Sequence, residues 1–413
     1  MSPTFKALRS YNYRLYLAGS IVSNVGTWMM RIAQDWLVLS LHGGGGTDLG
    51  ITTGLQFLPV LLLTPYAGVI ADRLPKRRLL QIAQAGMAVV SFVLAMVALS
   101  GVATIPMVYA LAFLFGVCSA FETPTRQAFV SEMVHADDLT NAIGLNSASF
   151  NSARLVGPAL AGLIIGWLGS GAQATGWVMM FNAVSYVATI VQVHRMRASE
   201  LNSPRLARRA SGQFREGLAY IRTQPAMMMI LVIVFFAGTF GMNFAITSAL
   251  MATQVFHKGA GEYGILGSAL AVGSLLGALM GARRANIRLR LIVLAAVAFG
   301  LAEIVSGLVP TYVTFAITAP FVGISMMTLL NSANATMQKL ADPALRGRVM
   351  AIYMTVVMGG TPIGAPIVGA VGQHLGARWT LLLGGVLVLV GAGIGVLFLV
   401  RRRTVLTPSH AAG

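Results

Sequence analysis

Gly68-Val69-Ile70-Ala71-Asp72-Arg73-Leu74-Pro75-Lys76-Arg77-Arg78 lies between two long apolar stretches. An acid followed by a basic cluster cannot sit in hydrocarbon. The segment therefore reads as the point where one helix leaves a bilayer and the next re-enters it. Working outward from it, apolar stretches of about 20 residues recur along the chain, each long enough to cross a hydrocarbon core roughly 30 Å thick. They are rich in Leu, Val, Ala, Gly and Met and do not alternate polar with apolar, so they read as helices and not as barrel strands.

Composition agrees. Of 413 residues, 56% are hydrophobic and 10% charged, and the mean hydropathy is +0.76. A soluble domain carries about 25% charged residues, so this chain reads as an all-α integral membrane protein. Twelve spans are expected, at 15–41, 48–71, 79–100, 106–127, 140–168, 174–194, 227–256, 262–282, 289–309, 312–336, 346–373 and 379–400. The first reads as an uncleaved helix, because no small-residue cleavage site follows Lys6, Arg9 and Arg14 at the right distance.

The net charge of +17 is unevenly placed. Lys and Arg fall almost entirely in alternate loops: the N-terminus, 72–78, 126, 195–222, 283–290, 339–348 and Arg401 to Arg403. Only Lys258 and Arg378 lie in the opposite set. This bias places both termini in the cytoplasm of a multi-pass protein of the cell membrane. It assigns the positive charge to the anionic inner leaflet of the lipid bilayer, and not to nucleic acid. The single cysteine, Cys118, excludes an intrachain disulfide and reads as a small buried residue.

The polar stretch 195–226 divides the chain into an N-terminal six-span part (1–194), a basic linker (195–226) and a C-terminal six-span part with a short basic tail (227–413). A shift of 208 residues lays 124–165 on 332–373 without a gap, with Pro158 on Pro366. Spans 2 and 8 open alike, on Asp48-Leu49-Gly50 and Glu262-Tyr263-Gly264. Gly277 to Arg284 is a worn copy of the 68–78 segment, with glycine in place of the acid.

The 68–78 segment resembles the loop signature of the major facilitator superfamily, with Pro75 where the commoner form has glycine. The resemblance implies two six-helix pseudo-symmetric bundles around a central cavity. Spans 1, 4, 7 and 10 would line the cavity, spans 2, 5, 8 and 11 would form the interface, and the rest would lie outermost. Span 5 carries Ala153-Arg154-Leu155-Val156-Gly157-Pro158-Ala159-Leu160-Ala161-Gly162. This run resembles the antiporter motif of superfamily drug exporters, with Ala153 and Ala161 replacing two glycines. Together with Asp35-Trp36 in span 1 and Asp72-Arg73 in the loop, this run resembles proton-driven drug exporters of the branch near siderophore (enterobactin) and macrolide exporters. It implies antiport of small amphipathic molecules against protons, by a chain working as a monomer. A proton-coupled importer or a lipid-handling carrier of the same fold is the alternative.

Five ionisable residues fall inside spans: Arg31, Asp35, Glu122, Arg154 and Glu303. Arg31 and Asp35, four apart, share a helix face. They either neutralise one another or form a unit in which Asp35 exchanges protons when the pair separates. Glu122 either pairs with Arg126 four residues on or contacts Arg73 or Arg154 in an inner gate; with Asp35 and Arg31, both Glu122 and Arg154 are expected in the proton-coupling set. Arg154, beside Gly157-Pro158, is too central to snorkel and is expected to face an acid or the cavity. Glu303, on an outer span, is expected to pair at a helix contact.

Expected gating residues are Gly68, Asp72, Arg73 and Arg77 in the loop, Gly157, Pro158 and Gly162 in span 5, and Arg346 opening span 11. Asp72 would dock on the N-terminus of span 11, where Asp342-Pro343 marks a helix start. Expected cavity residues are Asn24, Trp28, Gln34, Phe236, Phe240, Asn243, Asn331 and Asn334. No phosphate-binding loop, no metal-ligand spacing and no nucleophile–base set is present, so no cofactor, no metal and no enzyme chemistry is expected.

Overall fold

The computed structural model describes residues 3–201, 213–282 and 289–406, apart from the side chains at 3, 4, 65, 69, 72, 213, 214, 282 and 402–406. Its elements are helical. They are α1 (Tyr11–Ser40), α2 (Gly46–Arg73), α3 (Lys76–Leu99), α4 (Ile105–Met133), α5 (Leu139–Trp167), α6 (Ala172–His194), α7 (Gln213–Thr223), α8 (Pro225–Phe236), α9 (Phe244–Leu250), α10 (Ala260–Ala282), α11 (Leu289–Leu308), α12 (Tyr312–Leu340), α13 (Arg346–His374) and α14 (Ala377–Leu406). Eleven helical stretches among the described residues are long and apolar enough to cross a membrane. The expected spans 2 to 12 fall on them one for one. The first expected span lies in α1, a 30-residue helix outside that set that carries Arg14, Arg31 and Asp35.

The side chains are arranged inside out relative to a soluble helix. On α3, Ile82, Val89, Phe92, Val93 and Met96 are exposed, while Gln84 and Ser91 are fully buried among Leu80, Met87 and Leu94. An apolar outer stripe and a polar inner one suit hydrocarbon as the solvent.

The chain divides into two compact units, Met1–Arg208 with His257–Ser268, and Arg209–Phe256 with Ala269–Gly413. In the first, α1 packs on α5 and α6, α3 packs on α4 and α6, and α2 packs on α4. The second repeats the set: α8 and the turn after it pack on α13 and α14, and α11 packs on α12 and α14. Close approach uses the same device in each. The Gly116 Cα faces the Gln56 carbonyl across α2–α4, and Gly323 faces the Leu270 carbonyl across α10–α12. A side chain at either glycine would collide with backbone.

The likeness noted between Asp48 and Glu262 holds at the atomic level. The Gly45 N–H donates to Asp48 Oδ2 at 3.1 Å and the Gly259 N–H to Glu262 Oε2 at 3.2 Å. Each acid takes a backbone donor that the helix start leaves unpaired.

Two elements differ from the expected pattern. Span 7 is not one regular helix: π-helical turns occupy Ala237–Gly241 and Met251–Val255, and the helix breaks at Met242 and Asn243. The cause is local. Gly238 and Gly241 bring the backbone against Val357 and Phe299, and Asn243 Nδ2 donates to the Thr239 carbonyl at 2.8 Å in place of a helical N–H. The basic linker is not all loop either. Its end forms α7, which packs on α13 through a 2.7 Å ion pair between Glu216 and Arg348.

Candidate functional site

The first unit gathers its interior charges along α1. Asp35 is 8% exposed, and its Oδ2 accepts a 2.6 Å hydrogen bond from the hydroxyl of Tyr263, in the first turn of α10. The tyrosine ring stacks on Trp36 with centroids 6.4 Å apart. The Trp36 indole N–H donates to the carbonyl of Ser170, beyond the end of α5, at 2.9 Å. One helical turn thus presents an acid and an aromatic ring to α10.

Arg31 does not close on Asp35. Among the described residues no ion pair joins them; the guanidinium lies 5.0 Å from the centre of the Trp28 ring and 5.3 Å from that of Phe57 on α2. Arg154 of α5 approaches the same indole at 5.6 Å, and Phe150 meets it edge-on at 5.7 Å. Asn24, one turn before Trp28, donates to Ser149 Oγ at 3.3 Å. Gln34 is buried on the same helix. Asn24, Trp28, Arg31 and Arg154 therefore come together where α1 meets α5.

Glu122 takes the local option, pairing with Arg126 at 2.9 Å one turn along α4. In the Gly157-Pro158 run the small residues serve two contacts. Gly157 lies against α1, where an added Cβ would stand 2.7 Å from that of Trp28. Gly162 lies against the first turns of α10, where it would stand 3.0 Å from the Gly264 Cα. Gly267 touches Pro158 in the same way. These close contacts of α5 hold the first turns of α10, and Tyr263 with them, against α1.

The loop residues divide. Arg77 donates to the carbonyls of Val193 at 3.0 Å and His194 at 2.5 Å, closing the C-terminus of α6. Arg73 is exposed and Gly68 half-buried near the end of α2, while the Asp72 side chain lies outside the described residues. The cations at 283–284 also lie outside them.

In the second unit, Phe236 packs on Gly391 of α14 and Phe240 follows it at 6.0 Å. Asn243 is committed to the π turn, as described above. Asn334 accepts from Gln338 at 2.6 Å, while Asn331 and Arg346 are exposed. Among the described residues no group of three His, Cys, Asp or Glu side chains is placed to hold a metal. Sequence reasoning missed Tyr263 as a site residue. The only trace of it was the matched opening of spans 2 and 8.

The family described as transmembrane secretion effector matches residues 2–410. The chain is 26% identical to the multidrug efflux pump Tap of Mycolicibacterium fortuitum, over 89% of this chain and 91% of that one. It is 24% identical to macrolide efflux protein A of Streptococcus pyogenes, over 90% and 92%. A 153-residue stretch is 30% identical to the staphyloferrin A transporter of Staphylococcus aureus, covering 37% of this chain and 38% of that one. Among solved structures, an inward-facing bacterial homologue of the lysosomal transporter Spinster superposes with a TM-score of 0.75 at 14% identity, over the full length of both. A bacterial ferroportin homologue gives 0.75 at 14%, over 95% and 99%. At that identity the likeness is one of fold. The chain belongs to the transmembrane secretion effector family of major facilitator transporters, and is a multi-pass membrane transporter and not an enzyme.

Proposed function

We propose that this transporter is a proton-coupled antiporter that exports small amphipathic molecules by alternating access, through twelve helices in two six-helix bundles. Both termini would be cytoplasmic, and the chain would work as a monomer. The relatives named as efflux pumps support export. The observation that carries proton coupling is the 2.6 Å bond between Asp35 and Tyr263.

Among the described residues, Asp35 is the one acid well inside a helix of the first unit that is not bound to an arginine. Its partner sits on α10, held there by the small residues of α5. A step that draws the first turns of α10 away from α1 and α5 takes the tyrosine hydroxyl from the carboxyl and opens it to water. Proton affinity then differs between the two conformations, which is the requirement for exchanging a proton against a substrate. Arg31, one turn away, sets the electrostatic background against which Asp35 exchanges its proton. Asp72, Arg73 and Arg346 are assigned to closure of the cytoplasmic side, on the loop signature they carry.

The test is transport of a fluorescent drug panel in proteoliposomes under an imposed pH gradient, in both orientations. Asp35→Asn should end gradient-driven flux and retain downhill exchange. Gradient-driven flux at the wild-type rate in that variant would remove Asp35 from the coupling role. Flux only toward the cytoplasmic side would turn the reading to import.

A further inference from the structure

We propose that the cluster around Trp28 binds the negatively charged group of an anionic amphipathic substrate. This rests on the reading of the chain as a transporter and narrows its substrate class. Away from the helix ends, α1 to α6 carry three guanidinium groups, Arg31, Arg126 and Arg154, against two carboxyl groups, Asp35 and Glu122. Glu122 closes on Arg126 at 2.9 Å, and Asp35 takes the Tyr263 hydroxyl at 2.6 Å. However the remaining interactions are shared, the interior of these helices holds more positive charge than negative, and the excess lies at Trp28.

The geometry there suits an anion. Arg31 and Arg154 both lie within 5.6 Å of the centre of the same indole ring, and Arg31 also lies over Phe57. A guanidinium resting on an aromatic ring uses its face, while its N–H donors lie in its plane. Guanidinium groups can bind a carboxylate or phosphate with two parallel bonds, so an anion entering here would meet Arg31 and Arg154 together. Trp28, Phe57 and Phe150 supply apolar surface for the body of the molecule. A cationic drug would instead meet like charges and find the nearest acid engaged by Tyr263.

The shared chemistry is an anionic head on an apolar body. It could belong to a soluble organic acid or to a lipid with a negatively charged headgroup. The experiment measures equilibrium binding of two fluorescent probes to the full-length chain in neutral phosphatidylcholine nanodiscs. One probe is dansylaminoundecanoate, and the other is its counterpart of equal chain length ending in trimethylammonium. The wild type should bind the carboxylate at least about tenfold tighter. Arg31→Gln and Arg154→Gln should each lose most of that preference, Arg154→Lys should keep more of it than Arg154→Gln, and Arg154→Glu should reverse it.

Displacement by lysophosphatidylglycerol alone would assign the site to lipid. Displacement by a soluble alkyl succinate would assign it to organic acids. Equal affinity for the two probes, no binding of the carboxylate probe, or an unchanged preference in Arg154→Glu would overturn the proposal. Intact anion preference in a protein that moves no solute in proteoliposomes would overturn the transport mechanism and leave this site standing. Gradient-driven transport without anion preference would do the reverse.

Discussion

Asp35 on α1 and Tyr263 on α10 stand 228 positions apart in the chain and share a 2.6 Å hydrogen bond. The Tyr263 ring stacks on Trp36, and both partners of the bond are buried. Its two ends are separable by mutation. Tyr263→Phe removes one hydroxyl and keeps the ring stack. A hydrogen bond to an ionised group contributes about 1.5–3 kcal/mol, so its loss should shift the conformational equilibrium roughly ten- to a hundredfold away from the arrangement described here. Thiol labelling of cysteines placed along the buried face of α10 should speed up in Tyr263→Phe. In Asp35→Asn, which keeps an acceptor for the tyrosine, labelling should stay close to wild type while gradient-driven flux is lost. Identical labelling in Tyr263→Phe and wild type would show that the bond does not hold this conformation.

A second pair tests stability apart from transport. Lys76, opening α3, and Glu132, near the end of α4, meet at 2.7 Å with side chains only 12% and 5% exposed. Breaking such a pair leaves one buried charge uncompensated, at a cost of about 3–5 kcal/mol, whereas replacing both members with apolar groups is often neutral. Glu132→Gln should therefore lower the midpoint of thermal aggregation in detergent markedly, and Lys76→Met with Glu132→Leu should restore it. A double variant less stable than the single one would show that the two charges act through other partners.

How much of this was legible depends on distance along the chain. The apolar spans were plain because each is a local property of about 20 residues, and eleven of them coincide with helices that meet the length and hydropathy a membrane requires. Glu122 with Arg126 was legible for the same reason, since i,i+4 neighbours meet on any helix. Arg31 and Asp35 have that spacing too, yet Arg31 turns to Trp28 and Phe57 while Asp35 turns to Tyr263. The helix alone offers the local pair, and the neighbours supplied by α2, α5 and α10 decide against it. Tyr263 could not be found from the chain, because its role is fixed only when Gly162, Gly264 and Gly267 bring α5 and α10 together. The break in span 7 was hidden in part for the same reason: Gly238 and Gly241 are unremarkable in sequence and meet Val357 of α13 and Phe299 of α11 only in the fold, while Asn243 bonds the Thr239 carbonyl within the span itself.

The α5–α10 contact gives a graded test. A Cβ at Gly162 would stand 3.0 Å from the Gly264 Cα, while one at Gly166, a turn further on, would stand 3.7 Å from the nearest atom, the Gly261 nitrogen. Overfilling a close-packed contact costs about 1–3 kcal/mol. Gly166→Ala should transport like wild type, Gly162→Ala should be reduced, and Gly162→Leu should be inactive while still reaching the membrane. Full activity in Gly162→Leu, measured as flux per molecule of surface protein, would show that the close approach is dispensable.

Glu303 sets the limit of the coupling assignment. It lies on α11, 2% exposed, with Oε2 lacking any hydrogen-bond partner. Around it the helices are packed through glycine: Gly300 against Gly385, and Gly384 with Glu303 and the Phe240 carbonyl beside it. The neighbouring stretches Pro225–Phe236 and Ala237–Gly241 contain no ionisable residue. Arg378 of α14 is spent on the Gly307 carbonyl at 2.9 Å. The expected pairing at a helix contact thus has no cation among the described residues. A charge there would be uncompensated, so an uncharged side chain of the same shape should fit at least as well. Glu303→Gln should raise the thermal midpoint in detergent and leave gradient-driven transport intact. Glu303→Ala, which empties the same volume, should lower the midpoint by opening a cavity. The discriminating result is transport by a well-folded Glu303→Gln protein. If that protein loses gradient-driven flux but keeps downhill exchange, Glu303 is a coupling carboxyl, and Asp35 no longer holds that role alone.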